Sequence, residues 1–442
     1  MLEQTGPQPC GSGFAPAAAP GHQFTRAISL AVNLGLGGIT GAFSSRNFRI
    51  FWVGNLTHTI TVWVNRMALG WLTWELTGSG TWLGIIAAAG MLPMVFLGPI
   101  AGVTADRFGH RFQLMTATYT GAAIAFVMAT MVAFGSIDPE ILLILALLAG
   151  ISRAFNVPAR SAMVHALVER QHLSSAIGVN SATYYGGNFI GPALGGLIIS
   201  VFGITPAFFA YVAGELIAAT SFFLLRFEPI QSDGRRRFDL FGDLIAGARY
   251  TFQNRGILAL MMLSAIMALF LQPYIDMLPG MADKVFGMGA EGLAYLTSAT
   301  GAGAMFGGLW VARRGRIEGL VRIHFIMLVG AIAMMIGFVA TDILVAAMAA
   351  LFAVGFCLIA AHSANLTLVQ NAVDGSFRAR VISFSGVIGV SFPAAGALSI
   401  GWAATSLGFR LPVGVSAIVA LLAFAVTARM VLKRASVLEG EG

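Results

Sequence analysis

The chain has 442 residues, of which 57% are hydrophobic and only 10% are charged. An ordinary soluble domain carries roughly 25% charged residues, so the composition excludes a soluble enzyme core and predicts an integral membrane protein. The formal net charge is +7, but no nucleic-acid partner is expected because no soluble basic domain carries that charge.

The first 47 residues predict a largely disordered tail. Their opening stretch is rich in Gly, Pro and Ala. It lacks a basic segment followed by an apolar core, so a cleavable signal peptide is not expected.

Long apolar stretches follow the tail and predict an all-α membrane protein with two six-helix halves. A transmembrane helix needs about 20 mostly apolar residues. Short alternating strands with a polar lumen face are absent from the sequence, so an outer-membrane barrel is not expected. We predict twelve spans, near residues 50–74, 81–104, 113–135, 140–160, 174–201, 205–225, 257–280, 291–312, 321–340, 342–366, 380–404 and 409–431.

A polar segment separates the sixth and seventh spans. Within it, Phe238, Phe241, Ile245 and Phe252 recur at helical spacing, which predicts an amphipathic helix at the membrane surface. The expected domains are therefore a bundle over 48–226, a linker over 227–256, a second bundle over 257–432 and a short tail over 433–442. The two halves also repeat weakly, since GPIAGVTADRFGHR (98–111) resembles GAMFGGLWVARRGR (303–316).

The placement of basic residues predicts the topology. Nearly all of the 26 Lys and Arg residues lie in the tails and the even-numbered connections, and only Lys284 and Arg410 lie on the other side. Cytoplasmic loops carry an excess of Lys and Arg, so both termini are expected in the cytoplasm of a multi-pass inner-membrane protein.

Two small-residue motifs stand out. The first lies between spans 2 and 3 and comprises Gly102, Asp106, Arg107, Gly109 and Arg111. The second lies in span 5, where many small residues allow a neighbouring backbone to approach closely. Pro192 also removes a helix hydrogen bond there and predicts a kink. The second motif comprises Gly178, Gly187, Gly191, Pro192, Gly195 and Gly196.

These motifs resemble those of the major facilitator superfamily over residues 46–434. The resemblance implies that the loop motif is an inner gating latch, with Asp106 paired to Arg160 or capping a helix N-terminus. His110 stands where that family usually has a basic residue. The span-5 motif is similar to that of proton-driven exporters, and WLTWELTGSGTWLGIIAAAGMLP (71–93) resembles the drug and siderophore branch, which includes enterobactin-type and macrolide-type exporters.

Four charged residues that lie inside predicted spans, rather than in the residues next to the span boundaries, are candidates for the proton or substrate pathway. A charge at the bilayer centre costs about 2.5–3.5 kcal/mol on insertion scales, so such residues are functional candidates. Arg153 and Glu215 lie near the predicted midplane, Arg66 in the outer half of span 1 and Asp276 near the outer end of span 7. Glu215 or Asp276 would carry the proton, and the alternative is a fixed ion pair or a charge in the outer vestibule.

A fifth candidate is Asn156, three residues after Arg153, which stands in place of the Gln that often follows this Arg in the family's exporters. The resemblance implies a proton-relay role for Arg153. A helix–helix hydrogen bond is the alternative for Asn156. A lone histidine such as His58 in span 1 is more often structural than a proton relay.

The expected function is secondary active transport by alternating access, with proton-coupled efflux of a small amphipathic drug or siderophore. An importer of a small polar solute and a non-transporting scaffold remain alternatives. No GxxxxGK[ST] loop, Ser/His/Asp grouping or paired carboxylates occur in the sequence, so neither ATP hydrolysis nor an enzyme is expected. Cys10 and Cys357 are too far apart to predict a disulfide, no cofactor or metal is expected, and the resemblance implies a monomer.

Overall fold

The computed structural model describes residues 41–225, 240–314 and 318–432, and these residues form helices joined by short turns. The predicted tails up to residue 40 and from 433 onward, and the basic run Arg235–Arg237 with Phe238, lie outside the described residues. Helices suit a membrane protein because each one satisfies its own backbone hydrogen bonds without water.

The first half contains six long helices in chain order. Ser45 caps the first of them by accepting a hydrogen bond from the Phe48 amide at 3.3 Å. Asp138 caps the fourth through the Ile141 amide at 2.9 Å. The helices are α1 (Arg46–Thr77), α2 (Gly80–Phe108), α3 (His110–Ala133), α4 (Pro139–Ala166), α5 (Leu173–Phe202) and α6 (Ile204–Phe223).

The second half follows a short surface helix, α7 (Leu240–Gln253), in the position where the sequence predicts an amphipathic helix. The predicted seventh span is interrupted: α8 and α9 are separated by a π-helical turn, Met267–Leu271. The remaining helices are α8 (Arg255–Ile266), α9 (Tyr274–Lys284), α10 (Gly289–Arg314), α11 (Leu320–Ala340), α12 (Leu344–Ala372), α13 (Arg378–Leu407) and α14 (Arg410–Leu432).

Ten helical stretches in the described residues are long and apolar enough to cross a membrane, with α8 and α9 counted together. The other two long helices, α1 and α10, have 32 and 26 residues. They are more polar because α1 carries His58 and Arg66, and α10 is rich in Gly and carries Glu291, Arg313 and Arg314 near its ends. The all-α membrane fold is thus confirmed, whereas the count of twelve spans stays a prediction.

Each half is held together by close helix contacts at small residues. In the first half, α1 packs against α5 and α6, and Gly54 of α1 lies against Ser221 of α6. In the second half, α10 packs against α12, where Gly303 and Gly307 lie against the α12 backbone. The halves meet along two helix pairs, α2 with α13 and α5 with α10.

The bundle has two chemically distinct ends. We call the end where α1 begins and α2 finishes the basic end, because Arg107, Arg111, Arg313 and Arg314 lie there. The other end, the acidic end, carries Glu75, Asp138, Glu140 and Asp342 in the turns and at the helix termini.

The two halves are closed together at the acidic end. Gly84 of α2 lies so close to Ala397 of α13 that a side chain there would meet the Ala397 carbonyl. The Thr81 amide donates a hydrogen bond to Thr405 Oγ1 at 2.9 Å, and Trp74 of α1 donates one to Asp283 of α9 at 3.1 Å. These contacts join helices of opposite halves.

The same helices separate toward the basic end. Side chains added at Gly98 and Gly102 of α2, Gly178 of α5, or Gly386 and Gly389 of α13 would meet no described residue within 4 Å. The described residues are therefore open between the two halves at the basic end and closed at the acidic end.

Candidate functional site

A central cavity of about 100 Å³ lies between the two halves. The first half contributes residues of α1, α2, α4 and α5 to its lining, and the second half contributes residues of α9 and α10. Its lining is mostly apolar, with a few polar and charged groups, as in sites that bind small molecules. The polar and charged groups are Asn65, Arg66, Arg153, Asn188, Asp276 and the threonines Thr73 and Thr297.

An ion pair crosses this cavity from one half to the other. The Arg66 guanidinium donates a hydrogen bond to Asp276 Oδ1 at 2.9 Å. Arg66 also lies over the Trp63 ring, 5.2 Å from its centroid. Asp276 lies in the first turn of α9, where the helix N-terminus favours a carboxylate. This turn exists because the π-helical segment and Pro273 end α8 and start a new helix.

Arg153 lies near the middle of α4 and its side chain is exposed to the cavity. Within the described residues it makes neither an ion pair nor a hydrogen bond, in contrast to Arg66. Two residues that follow it toward the basic end line a second cavity: the adjacent Ala154, and Val157 one turn further on. Arg153 therefore lies where the two cavities adjoin along α4.

The second cavity, which we call the basic-end cavity, has a volume of about 390 Å³. It lies between α2 and α4 of the first half and α13 of the second half. Most of its lining is apolar, and it includes Met94, Val95, Val157, Val387 and Val390. Its two charged residues, Asp243 of α7 and Arg380 of α13, neutralise each other through a contact of 2.6 Å.

Glu215 lies outside both cavities, in the interior of the first half. Its side chain is 2% exposed, and its Oε1 lies 2.7 Å from His58 Nδ1. Tyr211 lies one helical turn before Glu215 on the same helix, α6. The sequence offers His58 only as a lone polar residue, and nothing in its local pattern identifies Glu215 as its partner.

Asn156 also lies inside the first half and faces away from the cavities. Its Nδ2 donates a hydrogen bond to Thr118 Oγ1 of α3 at 3.0 Å, and both residues are buried. Of the five pathway candidates, Arg66, Arg153 and Asp276 thus line one cavity, whereas Glu215 and Asn156 make contacts within one half.

The glycines of the α5 motif face two different neighbours. Gly187, Gly191 and Gly195 lie directly against α1, at Thr59, Trp63 and Val64. Gly196 instead faces the second half, where an added side chain would collide with Ala294 of α10. Gly178, near the basic end, meets none of the described residues within 4 Å, and Pro192 lines the central cavity.

The loop motif lies at the basic end. Gly109 has a φ of +91° and allows the tight turn between α2 and α3. Asp106 lies 3.7 Å from His110, and the expected Asp106–Arg160 pair is not present among the described residues. Arg111 donates a hydrogen bond to the Phe223 carbonyl at the end of α6 at 2.6 Å. A side chain at Gly102 would meet no neighbour in the part of the chain that the structure describes.

The surface helix α7 is docked on the second half, a contact that the sequence does not indicate. Tyr250 stacks on Phe377 with 4.5 Å between ring centroids, and its hydroxyl donates a hydrogen bond to Asp374 at 2.9 Å. Burial of the ring and the hydrogen bond to Asp374 raise the pKa of Tyr250. Gly247 lets the α7 backbone approach Arg380 closely.

Two helical halves around a charged central cavity define a membrane transporter rather than an enzyme, and comparison with known proteins gives the family. The model of the transmembrane secretion effector family matches residues 39–440. The chain therefore belongs to this family of the major facilitator superfamily, as the sequence motifs indicate.

Named relatives of this chain are efflux proteins and a siderophore transporter. Macrolide efflux protein A of Streptococcus pyogenes is 23% identical over 273 residues, which are 61% of this chain and 67% of that protein. The multidrug efflux pump Tap of Mycobacterium tuberculosis is 34% identical over 146 residues, 32% of this chain and 35% of that pump. The staphyloferrin A transporter of Staphylococcus aureus is 26% identical over 251 residues, 56% of this chain and 60% of that transporter.

Solved structures share the fold at low sequence identity. The nucleoside transporter NupG superposes with a TM-score of 0.70 at 14% identity, over 87% of this chain and 99% of that chain. A bacterial homologue of the human lysosomal transporter Spinster, in an inward-facing and unoccupied conformation, superposes with a TM-score of 0.67 at 14% identity, over 88% and 98%. At this low identity the similarities show the fold alone. They give no information on the substrate, which has to be inferred from the site.

Proposed function

We propose that this transporter exports a small amphipathic molecule of the drug or siderophore type by proton-coupled alternating access. The observation that carries the proposal is the Arg66–Asp276 ion pair, which joins the two halves beside the central cavity. In this assignment the protein acts as a monomer in the inner membrane, and the basic end with both termini faces the cytoplasm, as the positive-inside rule predicts.

The ion pair is suited to couple a proton to a change in access. Arginine keeps its charge in proteins, so a proton that reaches the pair binds to Asp276. A neutral Asp276 no longer attracts Arg66, and one link that holds the halves together is lost. Breaking a link between the halves favours opening at the acidic end, from which protons would enter and substrate would leave.

The closed contacts at the acidic end and the open basic-end cavity support a state that receives substrate from the cytoplasm. In this state a molecule reaches the central cavity along α2 and α4. The efflux relatives support outward transport, although what their names say of substrates applies to those proteins.

The test is proton flux in proteoliposomes that contain a pH-sensitive dye, with a panel of lipophilic drugs and siderophores. We expect a substrate to trigger proton movement in the wild type and expect Asp276→Asn to abolish it. The control is Asp342→Asn, because Asp342 pairs with Arg410 at the exposed acidic end, away from both cavities. This variant is expected to retain proton movement.

A double variant, Asp276→Asn with Glu215→Gln, tests the proton-carrier hypothesis more completely. If pH-dependent transport persists when both carboxylates are neutralised, the hypothesis that either one carries the proton is wrong. Proton movement that survives Asp276→Asn but disappears in Glu215→Gln would move the role to the His58–Glu215 contact.

A further inference from the structure

The pathway of this protein carries an excess of positive charge. Three arginines, Arg66, Arg153 and Arg160, lie in or beside the central region, and two carboxylates, Asp276 and Glu215, lie among them. Asp276 contacts Arg66 and Glu215 contacts His58. Two guanidiniums, those of Arg153 and Arg160, are therefore left without a direct carboxylate contact within the described residues, and of these two only Arg153 lines the central cavity.

The unmatched charge that faces the pathway is that of Arg153. A buried charge inside a membrane is costly unless it is paired or hydrated. Arg153 cannot neutralise itself by losing a proton, and it lies exposed where the central cavity adjoins the basic-end cavity. Its planar guanidinium has several N–H donors and is suited to bind a carboxylate, sulfonate or phosphate.

The space beside Arg153 is apolar on the side from which substrate enters. The basic-end cavity presents Met94, Val95, Val387 and Val390, and its only charged lining residues among those described, Asp243 and Arg380, are already paired. A molecule with an apolar body and an acidic head would place the body against these side chains and the head on Arg153.

We propose that the transported molecule is an amphipathic anion and that Arg153 binds its acidic group. This assignment rests on the transport function proposed above and narrows the substrate class. A cation is disfavoured because the net charge of the site repels it. Export of an anion is also favoured by the interior-negative membrane potential of a cell.

The test compares two dyes with the same aromatic skeleton and different charge. Anilinonaphthalene sulfonate is an anion, and N-phenylnaphthylamine is its neutral counterpart. Binding is measured by fluorescence with the full chain in nanodiscs of phosphatidylcholine, after subtraction of empty nanodiscs. We expect the wild type to bind the anion more tightly than the neutral dye.

Substitution of Arg153 tests how much its positive charge contributes to binding of the anion. We expect Arg153→Gln to weaken binding of the anion roughly tenfold, the size of one lost charge-assisted hydrogen bond, and to leave the neutral dye unchanged. Arg153→Lys retains a positive charge and is expected to keep most of the preference. Arg322→Gln is the matched control, because Arg322 is exposed on α11 and lines neither cavity.

Two results would overturn the assignment: equal affinity of the wild type for both dyes, or an unchanged ratio of affinities in Arg153→Gln. The neutral dye also reports whether the variant is folded, and Arg153→Lys gives a second comparison if the glutamine variant does not fold. Transport of the same dyes into proteoliposomes separates this assignment from the proposed function. Anion binding through Arg153 without transport would support the anion site and contradict the proposed export. Equal transport of the anionic and the neutral dye would support transport and contradict the anion site.

Discussion

His58 of α1 and Glu215 of α6 contact each other in the interior of the first half, with 2.7 Å between Nδ1 and Oε1. Both side chains are buried, and Gly214 next to Glu215 lets α1 approach closely at Thr61. This contact ties α1, which carries Arg66 at the cavity, to α6, which does not reach the cavity.

We predict that Glu215→Ala destabilises the protein. Removal of one partner of a buried polar pair leaves the other without compensation and costs about 3–5 kcal/mol in buried ion pairs. Thermal unfolding of the protein in detergent measures the effect as a lower Tm. Asp342→Ala is the control, because its ion pair with Arg410 is exposed, and equal loss of Tm in the two variants would contradict the prediction.

The α5 motif predicts a different effect for two of its glycines. Gly196→Val is expected to disrupt the closed contact with Ala294 of α10 and to favour opening at the acidic end, because the added side chain has no space there. Gly178→Val is the control, since no atom of the described residues lies within 4 Å of its side-chain position.

The measurement is labelling of a single cysteine at Thr297, which lines the central cavity, in a background with Cys10→Ser and Cys357→Ser. A membrane-impermeant maleimide is added on the side of the acidic end. We expect faster labelling in Gly196→Val than in Gly178→Val, and the same rate in both would show that Gly196 does not control closure.

Asn156 is a pathway candidate in the sequence, and its hydrogen bond to Thr118 predicts a structural role instead. We expect Asn156→Ala to lower stability by about 0.6 kcal/mol, the average for a helix–helix hydrogen bond in a membrane protein. Transport rates in proteoliposomes should change little. Thr118→Ala is the matched variant, and a double variant no less stable than either single one would identify the shared bond. Loss of transport at unchanged Tm would contradict the structural role and indicate that Asn156 acts in the transport pathway.

The docking of α7 depends on Tyr250, which joins it to the turn between α12 and α13. We predict that Tyr250→Ala increases amide hydrogen exchange in α7 roughly tenfold, because it removes the stack on Phe377 and the hydrogen bond to Asp374. Arg249→Ala, at an exposed position of the same helix, is expected to leave exchange unchanged. Unaltered protection in Tyr250→Ala would mean that Asp243 and Arg380 suffice for docking.

The same contact has a defined pH dependence. The pKa of Tyr250 is raised above its ordinary value of 10.0, so docking stabilises the protonated phenol. This stabilisation is fully present below pH 10.0 and is lost as the pH rises through the higher pKa of the docked state. Hydrogen exchange in α7, corrected for its intrinsic pH dependence, should therefore stay constant through the neutral range and rise only in strong alkali.

Much of the architecture follows from local sequence. Apolar stretches of membrane length require helices, because no water is present to satisfy the backbone. The charge asymmetry between the loops and the glycine motif of α5 are likewise visible along the chain. Arg66, Arg153 and Asp276 stand out because a charge in an apolar stretch is costly, and the structure places all three at one cavity.

The tertiary structure alone decided which of these residues meet. Arg66 and Asp276 are 210 positions apart, and their contact depends on how the two halves dock and on the helix break that places Asp276 in the first turn of α9. Nothing local distinguishes Glu215, buried on His58, from Arg153, exposed to the pathway, since both are single charges in apolar helices. The difference is the rotation of each helix about its axis, which is set by the packing of small residues on neighbouring helices.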